Sequence, residues 1–80
     1  MSKTAVKKRT PVVGDEYRDN RADNIRTLEV REVTDTDAMC VVTAQTYQGV
    51  TTYPMRETTM TFKRLTSSAF VRVLKEGEVA

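Results

Sequence analysis

The stretch that decides the fold is residues 14–30, GDEYRDNRADNIRTLEV. It is polar, it is rich in residue types that favour turns, and it separates two strand-like segments. We interpret it as the long, charged first loop of a small β-barrel, because the segments that follow it have strand patterns. The fold class expected from the sequence is therefore all-β.

Four segments beyond residue 25 have the composition or the alternation of β-strands. They are residues 26–33 (RTLEVREV), 38–47 (AMCVVTAQTY), 51–62 (TTYPMRETTMTF) and 70–74 (FVRVL). Val33 falls out of the alternation of the first segment, which predicts a bulge near Arg31 or Glu32. Pro54 has no N–H to donate to a ladder, so it predicts an edge, a bulge or a strand start.

Short polar segments separate these strands. Residues 34–37 and the pair Gln48–Gly49 predict turns, and residues 63–68 predict one tight helical turn. No window has sustained helical periodicity. The residues expected in the core are Leu28, Val30, Val41 or Cys40, Met60, Phe62 and Phe70.

This order of elements resembles a five-stranded Src-homology-3-like (SH3-like) barrel, with a long first loop, two hairpins and a helical turn before the closing strand. Closure would protect edges that a chain of 80 residues has little material to cover. The alternative is an oligonucleotide-binding barrel, which usually has a helix where this chain has only the Gln48–Gly49 turn. We expect a flexible basic arm over residues 1–13, one domain over 14–75 and a frayed tail over 76–80.

Composition excludes several classes of protein. The chain is 39% hydrophobic and 30% charged, which is typical of globular domains, and no apolar run approaches the ~18 residues that span a bilayer. Cys40 is the only cysteine, so no intramolecular disulfide can form, and histidine is absent. We expect no metal or other cofactor, no membrane association, no secretory signal and a cytoplasmic location.

One resemblance to known proteins lies in the run from Gly14 to Asn20, GDEYRDN, followed by residues 26–30, RTLEV. These motifs are similar to those of short proteins of actinobacteria and their phages that have no assigned activity. Residues 63–65 (KRL) before Phe70 resemble their closing part, whereas Asn24–Ile25 stand where those proteins commonly have glycine. The resemblance implies a small barrel in a phage setting and transfers no catalytic residue.

The net charge of +2 is unevenly distributed. Residues 1–13 carry Lys3, Lys7, Lys8 and Arg9 and no acidic residue, whereas residues 14–80 carry nine basic and eleven acidic side chains. The arm therefore has a charge of +4 and the remainder −2. Such an arm is suited to DNA or RNA phosphates, and the alternative is that it only improves solubility.

Three arginines of the first loop, Arg18, Arg21 and Arg26, alternate with Asp19 and Asp23. The guanidinium groups could contact the phosphates or carboxylates of a partner. The interpretation we favour is that the two aspartates accept hydrogen bonds from the arginines and the loop backbone and so hold the loop in one shape. Tyr17 is expected to anchor this loop on the core.

Tyr47 and Tyr53 form a second candidate surface, on which bases or an apolar partner could stack. The alternative is cross-strand packing between the two rings. A two-residue loop would pair Tyr47 with Val50 and direct the tyrosines to opposite faces. A three-residue loop would pair Tyr47 with Thr51 and place both rings on one face.

Catalysis has little support in the sequence. There is no histidine base, no glycine-rich phosphate loop, and the single thiol lies within an apolar run. We expect a non-catalytic, phage-encoded binding module that acts on nucleic acid or on a protein of the nucleic-acid machinery. The alternative is a protein-binding or self-assembling barrel. The partners left open are DNA or RNA, a host or phage protein, and a second copy of the chain.

Overall fold

The computed structural model describes residues 9–74 and residue 77. In this part of the chain, six strands and one helical turn follow each other: β1 (Glu16–Asp19), β2 (Asn24–Val33), β3 (Asp37–Tyr47), β4 (Val50–Thr52), β5 (Arg56–Thr61), α1 (Phe62–Leu65) and β6 (Phe70–Val73). All the strand pairs are antiparallel. The all-β fold class is confirmed.

The strands form one sheet in the order β4-β3-β2-β1-β6, with β5 also paired to β3. Because β2 covers one edge of β3, β4 and β5 lie in succession along the other edge. The single strand expected over residues 51–62 is thus split, and the count is six strands rather than five. The physical reason is the link at Pro54, which cannot donate to a ladder, followed by Met55 in a left-handed conformation with φ 52°.

Residues 14–30 are not one long loop. They contain β1 and the first part of β2, which form a hairpin in which Tyr17 pairs with Leu28. The strand pattern of β1 is hard to recognise because an acidic residue, Asp19, occupies an inward position beside Tyr17, where sequence patterns lead one to expect an apolar side chain. Only the residues between the two strands remain as a loop.

The register between β2 and β3 shifts twice, at Val30/Glu32 and at Thr27/Leu28. The first shift leaves Arg31 as the extra residue, which confirms the predicted bulge. The second leaves Thr43 of β3 as the extra residue and was not expected. Each bulge increases the local twist and so helps a narrow sheet to curve around its core.

The core lies on one face of the sheet. Its buried members are Tyr17, Leu28, Val30, Ala38, Cys40, Val42, Met60, Leu65 and Phe70. Tyr17 therefore anchors the first hairpin on the core, as expected. Its hydroxyl has no hydrogen-bond partner among the described residues, and its pKa is raised by burial and by the nearby Asp15 carboxylate.

Phe62 is only partly buried, contrary to the expectation. It is not the last residue of a strand but the first of α1, whose start is capped by the Thr61 side chain accepting from the Arg64 amide at 3.1 Å. One turn later the helix directs Leu65 into the core. The enclosed position therefore belongs to Leu65, because a helical turn has changed which residues face inward.

The chain before β1 contacts the sheet. Asp15 is buried, and its carboxylate accepts from the Arg9 guanidinium at 2.8 Å and from the Val12 amide at 3.1 Å. Pro11 is also buried, and the Gly14 amide donates to the Val30 carbonyl at 2.9 Å. Within the segment expected to be a flexible arm, Arg9, Pro11 and Val12 therefore contact the body.

The remaining arm positions, Lys3, Lys7 and Lys8, lie outside the described residues, as does the expected tail apart from Gly77.

Candidate functional site

The arginine at the end of the first hairpin, Arg26, is bound to Asp19. Its Nε donates to Oδ2 at 2.8 Å and its Nη2 to Oδ1 at 3.1 Å, while its backbone amide also donates to Oδ2 at 2.8 Å. Burial alone would raise the pKa of Asp19, but these hydrogen bonds outweigh it, so the pKa is lowered. Arg26 thus serves the fold, and its charge is neutralised where it lies.

The other candidate arginines differ in their partners. Arg21 pairs with Asp23 at 3.0 Å in an exposed position, and this contact lowers the pKa of Asp23. Arg18 is exposed on the face of β1 opposite to Tyr17 and makes no ion pair within residues 9–74. The interpretation that the two aspartates bind the loop arginines is therefore confirmed for Arg21 and Arg26.

The described part of the chain has no net charge. Of 13 basic residues, Lys3, Lys7, Lys8 and Lys75 lie outside it, and of 11 acidic residues Glu76 and Glu78 do. Nine basic and nine acidic side chains remain. A neutral body with ion-paired arginines has little long-range attraction for a polyanion.

The hairpin between β3 and β4 closes with a two-residue turn. Gln48 and Gly49 both have positive φ, 51° and 80°, and Tyr47 pairs with Val50. Such a turn matches the right-handed twist of the flanking strands. The two-residue loop is therefore the one that forms. Because side chains alternate along the strand that begins at Val50, Tyr53 lies on the face opposite to Tyr47, and the two rings do not form a shared stacking surface.

Residues 38–55 contain no charged side chain, although 30% of the chain is charged. The first half of this stretch is the buried centre of β3, where the absence of charge is expected. The second half is different, since it is exposed: Tyr47 is 52% exposed, Val50 63%, Tyr53 71% and Met55 56%. We call residues 45–55 the uncharged hairpin.

An open cleft of about 490 Å³ adjoins this hairpin, on the face of the sheet that also carries Leu28 and Val30. Its lining residues are Asn24, Gln45, Tyr47, Val50 and Thr52. The Gln45 amide donates to Asn24 Oδ1 at 2.9 Å, which orients both side chains. The cleft thus combines an aromatic ring, an aliphatic side chain and amide groups, and none of its lining residues is charged.

β4 pairs with β3 on one side, and its other edge is free within the described residues. Free edges in natural sheets are usually protected by short length, charged residues, proline, a bulge or a cover. β4, with the sequence VTT, is short and is followed by Pro54, but it carries no charge, its three residues are exposed, and nothing among the described residues pairs with its free edge. The edge is therefore able to accept a further strand.

The single cysteine, Cys40, lies in the core. The Cys40 thiol is buried, and burial raises its pKa, which keeps it protonated and unreactive. Within residues 9–74 and 77, no three His, Cys, Asp or Glu residues are grouped to hold a metal ion. In the same part of the chain, no helix has the length and apolar character needed to cross a membrane.

The chain matches no protein-family model, no curated protein and no solved structure. Of the residues predicted to form a site, only Tyr47 lines the cleft. Sequence reasoning missed Asn24, Gln45, Val50 and Thr52. The signal that could have found this surface is the missing charge over residues 38–55, since an 18-residue gap is too long for one buried strand.

Proposed function

We propose that this chain is a non-catalytic module that binds protein partners through the uncharged hairpin, residues 45–55. One observation carries the proposal: the exposed side chains of Tyr47, at the end of β3, and Val50, on β4, form a cross-strand pair beside the uncharged free edge of β4. The centres of protein–protein interfaces are depleted of charged residues and enriched in Tyr and Met. Tyr47, on the face that lines the cleft, has the character of such a centre.

The geometry is suited to an extended segment of a partner. A strand that adds to the edge of β4 gains main-chain hydrogen bonds, and its alternate side chains project toward the cleft. Tyr47 and Val50 would contact an apolar side chain there, and the Asn24 and Gln45 amides would contact polar groups. Binding by the first-loop arginines is less well supported, because Arg21 and Arg26 are ion-paired within the fold.

The proposal is tested by screening a library of random linear peptides for binding to the immobilised full chain. Selected peptides should bind wild type, and Val50→Ser should weaken binding at least tenfold because it removes an apolar contact at the cleft. The matched control is Val33→Ser, which makes the same change at an exposed position of β2 outside the hairpin. Failure to select any peptide, or equal binding by Val50→Ser and wild type, would refute the proposal.

The fold assignment can also be taken further, to an SH3-like barrel. Three features support it: the strand order is a meander with the last strand beside the first, a helical turn precedes the last strand, and α1 contacts both β5 and β6. In such a barrel α1 bridges the two outer strands of the curved sheet. Nuclear Overhauser effects between side chains of β5 and β6, measured by NMR, would support closure of the barrel. Their absence would mean that the sheet stays open.

A further inference from the structure

We infer that the free edge of β4 pairs with β4 of a second copy, antiparallel across a two-fold axis. The inference rests on the proposed function and names the partner strand. β4 is short, exposed and uncharged, and its free edge is open within the described residues.

The backbone of Thr51 is directed toward this free edge. Tyr47 and Val50 flank a two-residue turn, so they exchange hydrogen bonds with each other, and the backbone groups of Val50 point toward β3. Because backbone groups alternate along an antiparallel strand, those of Thr51 point the other way. A two-fold axis at Thr51 would therefore join two copies through reciprocal Thr51 hydrogen bonds.

The side chains that would face each other across this axis are sterically compatible. With Thr51 opposite the second Thr51, Val50 lies opposite Thr52, and Tyr53 lies opposite Gly49, which has room because nothing lies within 4 Å of where its Cβ would be. The Thr51 hydroxyl already contacts that of Thr46 at 2.8 Å, so the two copies would share a row of threonines. Pro54 ends the pairing, since it has no N–H to donate.

The absence of charge favours a second copy over another partner. A two-fold axis brings a group that lies near it close to its own copy, so a charge near the centre of the paired edge would face a like charge. An edge without charge has no such repulsion, and it also has no charge with which to attract a charged partner segment. Because β4 has only three residues, we expect a small interface and an equilibrium between monomer and dimer at micromolar concentrations.

Sedimentation equilibrium of the full chain tests the inference. The apparent mass should rise from 9.1 kDa toward twice that value as concentration increases from low micromolar to submillimolar. Thr51→Lys places two like charges at the axis and should keep the chain monomeric throughout. Thr59→Lys is the matched control, because Thr59 is also an exposed threonine, on β5, and it should leave the dimer intact.

Amide hydrogen exchange of the wild-type chain provides a second measurement. The Thr51 amide should exchange more slowly at high concentration than at low concentration, whereas the Val50 amide, which already bonds within the hairpin, should not change. A chain that stays monomeric, a Thr51→Lys dimer, or a dimer with an unprotected Thr51 amide would overturn the inference. Peptides that still bind a strictly monomeric chain would show that the proposed function stands without it.

Discussion

Asp19 and Arg26 are joined across the first hairpin by two side-chain hydrogen bonds, of 2.8 and 3.1 Å, and the Arg26 guanidinium lies 5.8 Å from the centre of the Phe70 ring. The Asp19 side chain is 6% exposed and that of Arg26 24%. The contact links β1 to β2, and through Phe70 it reaches β6. Arg26, which the sequence presented as a candidate for binding a partner, thus holds three strands together.

Replacing Asp19 should destabilise the fold. Asp19→Asn keeps the shape of the side chain but leaves the Arg26 charge without a counterion, and breaking a largely buried pair costs about 3 kcal/mol. Thermal unfolding followed by circular dichroism at neutral pH measures this. Asp23→Asn is the control, because the Arg21–Asp23 pair is exposed, and its melting temperature should stay close to wild type.

The difference between wild type and Asp19→Asn should depend on pH. The pKa of Asp19 is lowered in the folded state, so its contribution is fully present above the ordinary value near 3.8 and is lost as pH falls through the folded pKa. The two melting temperatures should therefore converge below about pH 4. A gap that stays constant down to pH 2 would contradict an electrostatic origin.

The start of the chain should divide into two parts with different effects on stability. Deleting residues 2–8 should leave the melting temperature unchanged, because the contacts of Arg9 and Pro11 remain. Asp15→Asn should lower stability by about 1–3 kcal/mol, since the buried side chain loses its charge-assisted bond from Arg9. Equal melting temperatures for Asp15→Asn and wild type would mean that residues 9–13 are not anchored.

The same deletion tests the nucleic-acid expectation for the arm, since it removes Lys3, Lys7 and Lys8 and leaves ten basic and eleven acidic side chains, a formal net charge of −1. If these lysines contact phosphates, the logarithm of the DNA affinity of the full chain should fall by about 0.7–0.9 per contact for each tenfold rise in salt concentration. The deletion should then remove the DNA binding. DNA binding that survives the deletion would place the contacts on the body.

The core should be more sensitive at Leu65 than at Phe62, although phenylalanine is larger. Leu65→Ala empties an enclosed position and should cost about 2–5 kcal/mol, enough to unfold much of so small a domain. Phe62→Ala removes a ring that is only partly buried and should cost less. Denaturant unfolding of the two variants measures both values. A larger loss for Phe62→Ala would mean that its ring is more enclosed than the structure shows.

Some features were predictable because their signals are local. The alternation of Leu28 and Val30, and its failure at Val33, predicted both β2 and its bulge. The Gln48–Gly49 turn followed from the same kind of reasoning. β1 was missed, because its inward Asp19 is satisfied by Arg26, seven residues away, and local patterning contains no sign of that pairing.

The amino-acid sequence by itself determined the all-β class, the turns and most core residues, because period-two alternation and turn chemistry act between neighbours along the chain. Only the tertiary structure decided which arginines are neutralised, which tyrosine faces the cleft and that the β4 edge is free. These properties depend on register and on strand order. Both are set by contacts between residues far apart in sequence, such as Asp19 beside Phe70. A one-residue change in register would exchange the faces of a whole strand, so the surface that binds cannot be derived from local patterns alone.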